Sequence, residues 1–406
     1  MIPNRPQLIF VWPYIEWGGA QVYCLAIIKL AKADWDITVM LPRNSQPDLI
    51  ALVEGQGVRL EYLNGAMDLK PAPTLVRKLR RHRARISAEI ETFRRLSRFP
   101  LRESVIHIDF APWQSWILFT ALILKGGKIF VTLHNALAKQ PLWRELIFRS
   151  RMQFLSRLPG FDIFASNKDT RTKLKGWVSS AHWEKIPVTY TCVDRIAVES
   201  ISQEPFDREQ YRRRFEIPVD KYAVLTVGQF IDRKGRWVLL EAARKAAQID
   251  EDLVFVWVTP SMPSKEDYER IAGYGLGDRF RLILSASLGE ERRDVLRFFR
   301  IADCFALPSF VEGLPIAVLE AMALGIPSVS TNVFAIPEAV KHEKTGLLIE
   351  AGDSDELCRS ILRAKNDRAL SSKLREEGSK FVLEHFDERM SARIAIQGFE
   401  KCLEAR

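Results

Sequence analysis

Short, nearly uninterrupted apolar runs alternate with longer stretches whose apolar positions recur every three or four residues. In the first half the runs fall at 8–11, 37–41, 58–62, 105–108, 129–133, 163–165 and 185–188. Helical patterns lie between them at 20–31, 74–96, 113–124 and 143–158. Strands without polar alternation are covered on both faces, and strand–helix repetition builds a parallel, doubly wound α/β sheet. The polar stretch 192–206, which contains Pro205, reads as an interdomain linker. Alternation then restarts, with runs at 224–227, 253–258, 280–284, 304–307, 328–330 and 347–349. The pattern predicts two Rossmann-like domains facing a cleft, residues 1–195 and 207–387, with a helix over 388–406 crossing back to brace the first. Ligands of open α/β sheets bind outside the carboxyl ends of the strands, so the chemistry is expected in that cleft.

Composition narrows the class. At 406 residues the chain exceeds the roughly 250–300 at which one core stops growing, in keeping with two domains. Its 47% apolar and 27% charged residues exclude a disordered or collagenous protein. The five cysteines (Cys24, Cys192, Cys304, Cys358, Cys402) are odd in number and scattered, without a Cys-x-x-Cys. Neither a disulfide framework nor a zinc site is suggested, and a reducing compartment fits. The N-terminus has no apolar signal core, and the longest apolar stretch, Trp116–Leu124, is half a membrane span followed by Lys125. The expected location is cytoplasmic, at most peripheral at the cytoplasmic face of a membrane. The net charge of +9 permits phosphate ligands, anionic lipid or nucleic acid and chooses none of them.

The most informative segment runs Leu307-Pro308-Ser309-Phe310-Val311-Glu312-Gly313-Leu314-Pro315, then Ile316-Ala317-Val318-Leu319-Glu320-Ala321-Met322-Ala323-Leu324-Gly325-Ile326-Pro327. It reads as strand, loop, helix, turn, strand. Gly313 permits close backbone approach, and Pro315 suits the first helical turn. The helix N-terminus then offers unpaired N–H groups and the positive end of a dipole, a seat for phosphate. Carboxylates beside such a seat, Glu312 before the helix and Glu320 inside it, suit hydroxyls flanking the anion better than the anion itself.

This segment resembles the signature of the retaining glycosyltransferases of family 4, which have the GT-B fold and use nucleotide-sugar donors. Glu312 and Glu320 match the two acids of the family's Glu-x7-Glu, and the downstream Ile336-Pro337-Glu338 and Thr345-Gly346-Leu347-Leu348 are also similar. The resemblance is strong over most of 220–365 and weak in the first domain. It implies that Glu320 holds the ribose hydroxyls and Glu312 the donor sugar near the reacting carbon, with Gly313, Leu314 and Pro315 lining the donor. In Val227-Gly228-Gln229-Phe230-Ile231-Asp232-Arg233-Lys234-Gly235, Lys234 matches a family lysine that grips the diphosphate. Gln229 replaces the usual arginine there, and Arg233 is the candidate replacement cation. In the first domain Gly18 and Gly19 match the place of a family Gly-Gly, and His134, after an apolar run, matches a histidine that contacts the donor sugar. His107 is expected to be structural.

Other departures are Val258-Thr259-Pro260, where the family has a Gly-x-Gly turn, and Phe334-Ala335, where it has Gly-Gly. Bulk at Phe334 narrows the pocket or reshapes its loop. Asp353-Ser354-Asp355 resembles a metal motif but is better placed as a helix N-cap, so no metal and no cofactor is expected, the nucleotide-diphosphate sugar being a substrate. The stretch bounded by Arg77 and Arg98 holds nine basic residues against two acidic ones at helical period. It suits an anionic membrane surface or a solvated helix, and it lacks the aromatic interleaving that nucleic acid requires. The expectation is a retaining, metal-independent glycosyltransferase acting on a saccharide or lipid-linked acceptor. A non-catalytic scaffold subunit and a GT-B epimerase or phosphorylase are the competing readings.

Overall fold

A computed structural model describes residues 5–15, 18–67, 74–134, 140–289 and 291–404. The chain divides into two compact units, Met1–Thr191 with Glu388–Arg406, and Cys192–Asp387.

Unit 1 holds six parallel strands, β1 (Gln7–Val11), β2 (Asp36–Pro42), β3 (Arg59–Leu63), β4 (Ser104–Ile108), β5 (Lys128–Leu133) and β6 (Phe161–Ala165), in the order β3-β2-β1-β4-β5-β6. Its helices are α1 (Gly19–Ala31), α2 (Pro47–Glu54), α3 (Leu75–Leu96), α4 (Trp116–Leu124), α5 (Leu142–Leu155), α6 (Lys168–Lys173) and α7 (Ser180–Lys185). Leu8, Ile9, Phe10 and Val11 of β1 are all fully buried, as expected of a central strand packed on both faces. One face carries α3, α4 and α5 around Ile106, Phe119 and Met152. The other carries α1 and α2.

The second unit repeats the plan. Strands β7 (Tyr222–Val227), β8 (Leu253–Thr259), β9 (Phe280–Leu284), β10 (Cys304–Leu307), β11 (Ser328–Thr331) and β12 (Leu347–Ile349) lie in the order β12-β11-β10-β7-β8-β9. Counted from its own first strand, this is the order of unit 1. The helices here are α8 (Arg195–Gln203), α9 (Arg208–Arg214), α10 (Arg236–Ile249), α11 (Lys265–Ala272), α12 (Arg292–Phe298), α13 (Ile316–Ala323), α14 (Ile336–Ala339), α15 (Ser354–Asn366) and α16 (Arg368–His385).

The final helix, α17 (Glu388–Glu404), belongs to unit 1. It packs on α1, and Phe399 meets Phe130 and Phe164 of the sheet at ring-centroid distances of 4.8 and 5.6 Å. Lys29 bonds Glu388 at 3.0 Å, at the start of the same helix.

Two expectations fail. The run 185–188 is not a strand: it begins at the end of α7 and reaches the sheet only through a bridge from Val188 to Ala165. The stretch 192–206 is no linker either. Asp194 caps α8 by accepting the Ala197 N–H at 3.0 Å, and Val198 and Ile201 are buried in unit 2. Among the described residues no helix is long and apolar enough to cross a membrane.

Candidate active site

Strand order in unit 2 reverses between β7 and β10, and at such a point the loops leaving the carboxyl ends diverge around a crevice. Here the two loops are bolted together. The Phe310 amide donates to the Arg233 carbonyl (2.9 Å), and the Arg233 guanidinium donates to the Val311 carbonyl (3.0 Å). Gly235 makes the approach possible. It sits at φ 73°, and a β-carbon there would stand 1.9 Å from the Pro308 carbonyl oxygen.

Glu312 lies in this junction, only 8% exposed. Its carboxylate accepts from the Ser309 hydroxyl (3.2 Å), pairs with the Lys234 ammonium and stands 3.4 Å from the Arg233 guanidinium. Ser309 is held in turn, since its carbonyl accepts from the Thr331 hydroxyl at 2.6 Å. Sequence adjacency left open whether Arg233 and Lys234 point the same way. The 3-10 turn Asp232–Lys234 turns both toward one carboxylate.

Helix α13 begins at Ile316, so Pro315 is its N-cap and stands one position before the first turn in which the sequence put it. The first amides of a helix have no carbonyl behind them and carry the positive dipole end, which favours an anion. Gly313 and Leu314 are buried, and with its side chain packed inward Leu314 offers a ligand only its backbone. Glu320, which the helical period puts at the edge of the inward face of α13, is also buried. Burial raises its carboxyl above the usual range, partly countered by the Arg292 guanidinium that donates to it. Nothing in the sequence singles out Arg292, because the pairing joins α12 to α13.

The departures from the family pattern sit in three different local settings. Gln229 is exposed. Thr259 is buried at the end of β8, where its hydroxyl accepts the Phe230 N–H (3.2 Å) and donates to the Ser261 carbonyl (3.2 Å). It thereby holds the loop that carries Arg233 and Lys234. Phe334 adopts φ 47°, a left-handed conformation that glycine takes without strain. Asp353 caps α15 by accepting the Glu356 N–H at 2.8 Å.

Unit 1 has its own switch point between β1 and β4. The Gly18 N–H donates to the Gln21 side chain (2.9 Å), whose amide donates to Asp109 (3.2 Å). Backbone at Gly18 is extended, and among the described residues a β-carbon there would meet nothing within 4 Å, so none of them demands glycine. Gly19 opens α1; Trp17 and Asn135, the sequence neighbours of Gly18 and His134, lie outside the described residues. His134 follows β5, edge-on to Tyr23 at 5.4 Å. Its carbonyl accepts from Ser166 (3.1 Å), and burial lowers its imidazole to about 4. His107 is structural, its Nε2 lying 2.8 Å from the Thr132 hydroxyl. Sequence reasoning missed Asp109, just after β4, whose carboxyl burial raises to about 6. Its only advance signal was a lone acid ending an apolar run.

Residues 207–381 match the family model described as glycosyl transferases group 1. A lipopolysaccharide core biosynthesis glycosyltransferase, LpsE of Rhizobium meliloti, is 26% identical over 176 residues, 43% of this chain and 48% of that protein. At this level of similarity the chain spans about half the length of the curated relatives it matches. A putative teichuronic acid biosynthesis glycosyltransferase, TuaC of Bacillus subtilis, is 24% identical over 381 residues, 90% of each chain. Among solved structures, Anabaena HepE in complex with UDP-glucose superposes with a TM-score of 0.76 at 16% identity, covering 98% of this chain and all of that one. The two Rossmann-like units thus have the GT-B fold, and residues 207–381 are similar to the glycosyl transferases group 1 family.

Proposed function

We propose that the chain is a retaining glycosyltransferase that moves a hexose from a nucleotide-diphosphate sugar to a saccharide or lipid-linked acceptor in glycan biosynthesis. The observation that carries this reading is the convergence of Arg233 and Lys234 on Glu312 beside the N-terminus of α13. Breaking a glycosyl–phosphate bond leaves negative charge on the diphosphate and positive charge on the sugar carbon. Two cations and a helix dipole suit the first, and a carboxylate suits the second, in a site already organised before the bond breaks.

In this reading Lys234 and Arg233 grip the diphosphate, with Arg233 in the role that Gln229 does not fill. The backbone of Gly313 and Leu314, with Pro315 ahead of α13, lines the phosphates. Glu312 faces the sugar, and Glu320, held by Arg292, accepts from the ribose hydroxyls. Gly18, Gly19 and His134 of unit 1 contact the donor sugar, and the enclosed, neutral His134 ring does so by hydrogen bonding instead of charge. The UDP-glucose bound to the Anabaena protein makes a UDP-sugar the first donor to try.

The acceptor side is read from α3. The helical period puts Leu75, Leu79, Ile86, Ile90, Phe93 and Leu96 on one broad face; Leu96 is buried and Phe93 packs against the core, whereas the first four are exposed. Together with the basic residues from Arg77 to Arg98 they suit an anionic membrane at its cytoplasmic face, where a lipid-linked acceptor would be held. Calorimetry against a panel of nucleotide sugars, followed by product analysis with and without acceptor, tests the proposal. A donor that binds and is transferred with retained anomeric configuration supports it. Absence of all donor binding favours a scaffold, and conversion of the donor alone favours an epimerase.

A further inference from the structure

Helix α4 reads Trp-Ile-Leu-Phe-Thr-Ala-Leu-Ile-Leu, without one charged residue, yet it is not wholly buried. Leu118, Phe119 and Leu122 face the sheet, while Ile117 and Leu124 point outward at 65% and 79% exposure. Its neighbour α5 does the same: Phe148, Met152 and Leu155 are buried, whereas Leu142 and Trp143, at 79% and 65% exposure, project with Leu146 and Phe154. At 100° per residue these outward positions of α5 fall on one side of the helix, which Ser150, Gln153 and Arg157 share toward its C-terminal end. Trp116 of α4 meets Phe154 of α5 edge-on at 6.0 Å, joining the two apolar surfaces, and α4 packs against α3 on its other side. Soluble surfaces scatter such side chains singly; Leu142, Trp143 and Leu146 lie together within one turn of α5, and such a grouping marks a contact.

Charge identifies the partner. Residues 75–157 hold seventeen lysines and arginines against five acidic residues, an excess of twelve that surpasses the +9 of the whole chain. The rest of the protein is therefore net acidic, and the positive charge is concentrated in the segment of chain that carries α3, α4 and α5. Leucine, tryptophan and phenylalanine ringed by arginine suit the boundary between anionic headgroups and acyl chains. A second copy of the chain would bring the same positive field against itself.

We infer that α4 and α5 form the penetrating part of a membrane-docking face, with Leu142, Trp143 and Leu146 entering an anionic bilayer. The inference extends the membrane reading given for α3 and rests on it for the attraction, but the apolar insertion is a separate contribution.

The test uses the full chain with phosphatidylglycerol–phosphatidylcholine vesicles and with phosphatidylcholine alone. Wild type is expected to bind the anionic vesicles, and brominated lipid should quench a tryptophan emission that is absent in Trp143→Phe. Leu142→Ser/Trp143→Ser/Leu146→Ser should bind at least tenfold more weakly, with an unchanged melting curve, since these side chains are exposed. Arg80→Glu/Arg81→Glu/Arg83→Glu should lower binding to the phosphatidylcholine level. Unaltered binding by the serine variant, or wild-type sedimentation as a dimer that this variant dissociates, overturns the inference. Nucleotide-sugar binding measured without vesicles separates failure of the docking face from failure of the glycosyltransferase reading.

Discussion

Lys234 and Glu312 come from loops after different strands and meet as an ion pair within the crevice of unit 2, the carboxylate also held by Ser309. The pair is a device for keeping opposite charges ready at fixed positions. Replacing Glu312 by Gln removes the negative partner while preserving shape. A loss in kcat of about 10²- to 10³-fold is expected, with donor affinity changed much less, the scale of removing one fixed electrostatic group. Glu320→Gln should instead raise the donor KM. Steady-state kinetics with the identified donor distinguish the two, and equal, near-normal turnover in both would remove the site assignment.

Gly235→Ala tests the bolt between the loops. The added methyl group collides with the Pro308 carbonyl and the residue remains left-handed. Left-handed alanine alone costs about 1–2 kcal/mol, and the displaced backbone adds to it. Urea unfolding should register a loss of more than ~2 kcal/mol, accompanied by weakened nucleotide binding.

Thr259→Val keeps the volume and deletes the acceptor of the Phe230 N–H. An orphaned buried amide costs about 1–3 kcal/mol. Because this amide fixes the loop bearing Arg233 and Lys234, donor affinity should drop along with stability. Calorimetry on the folded variant reads the first effect separately from the second.

Two buried histidines of unit 1 contribute to the acid limb of stability. Burial depresses His107 to about 3 and His134 to about 4, with His107 further disfavoured by its proximity to His134. Below the ordinary histidine range the unfolded chain therefore binds more protons than the folded one, and stability falls as pH drops from 6.5 toward 4. Each imidazole contributes a loss of about 3 kcal/mol over that window. Asp109 acts in the opposite direction. Its carboxyl, raised to about 6, takes up a proton in the folded state first and offsets part of the loss between pH 6 and 4. Asp109→Asn should consequently steepen the acid limb in denaturation curves collected from pH 7 to 4; a shallower limb would contradict the assignment.

Phe399→Ala removes the ring that α17 inserts against Phe130 and Phe164. Phenylalanine-to-alanine changes in cores cost about 3–5 kcal/mol. The loss should appear in the melting of unit 1, with the nucleotide response of unit 2 retained.

Much of this architecture was readable because central parallel strands are apolar throughout. Leu8 to Val11 and Leu253 to Val258 announce themselves without any knowledge of partners. Helix α8 did not, since nine largely polar residues bury only Val198 and Ile201, and Pro205 suggested a linker; its Asp194 cap was the overlooked signal. The same division holds at the site. Glu312, Gly313 and Pro315 share one short segment, so their spacing carries information. Arg292 beside Glu320, Thr259 beneath Phe230 and Asp109 beside Gln21 are pairings across separate segments, and only folding brings them together. Phe334, in contrast, was legible as a departure, and its left-handed backbone shows why glycine suits that position.

The placement of α17 has a consequence for how the protein is made. The first-synthesised sheet receives the helix covering Phe130 and Phe164 only after every residue of unit 2 has left the ribosome. Until then a newborn chain presents an open aromatic floor, the kind of surface that aggregates or recruits chaperones. A stop codon anywhere within the second unit would therefore release a product prone to clumping and proteolysis instead of a usable first unit.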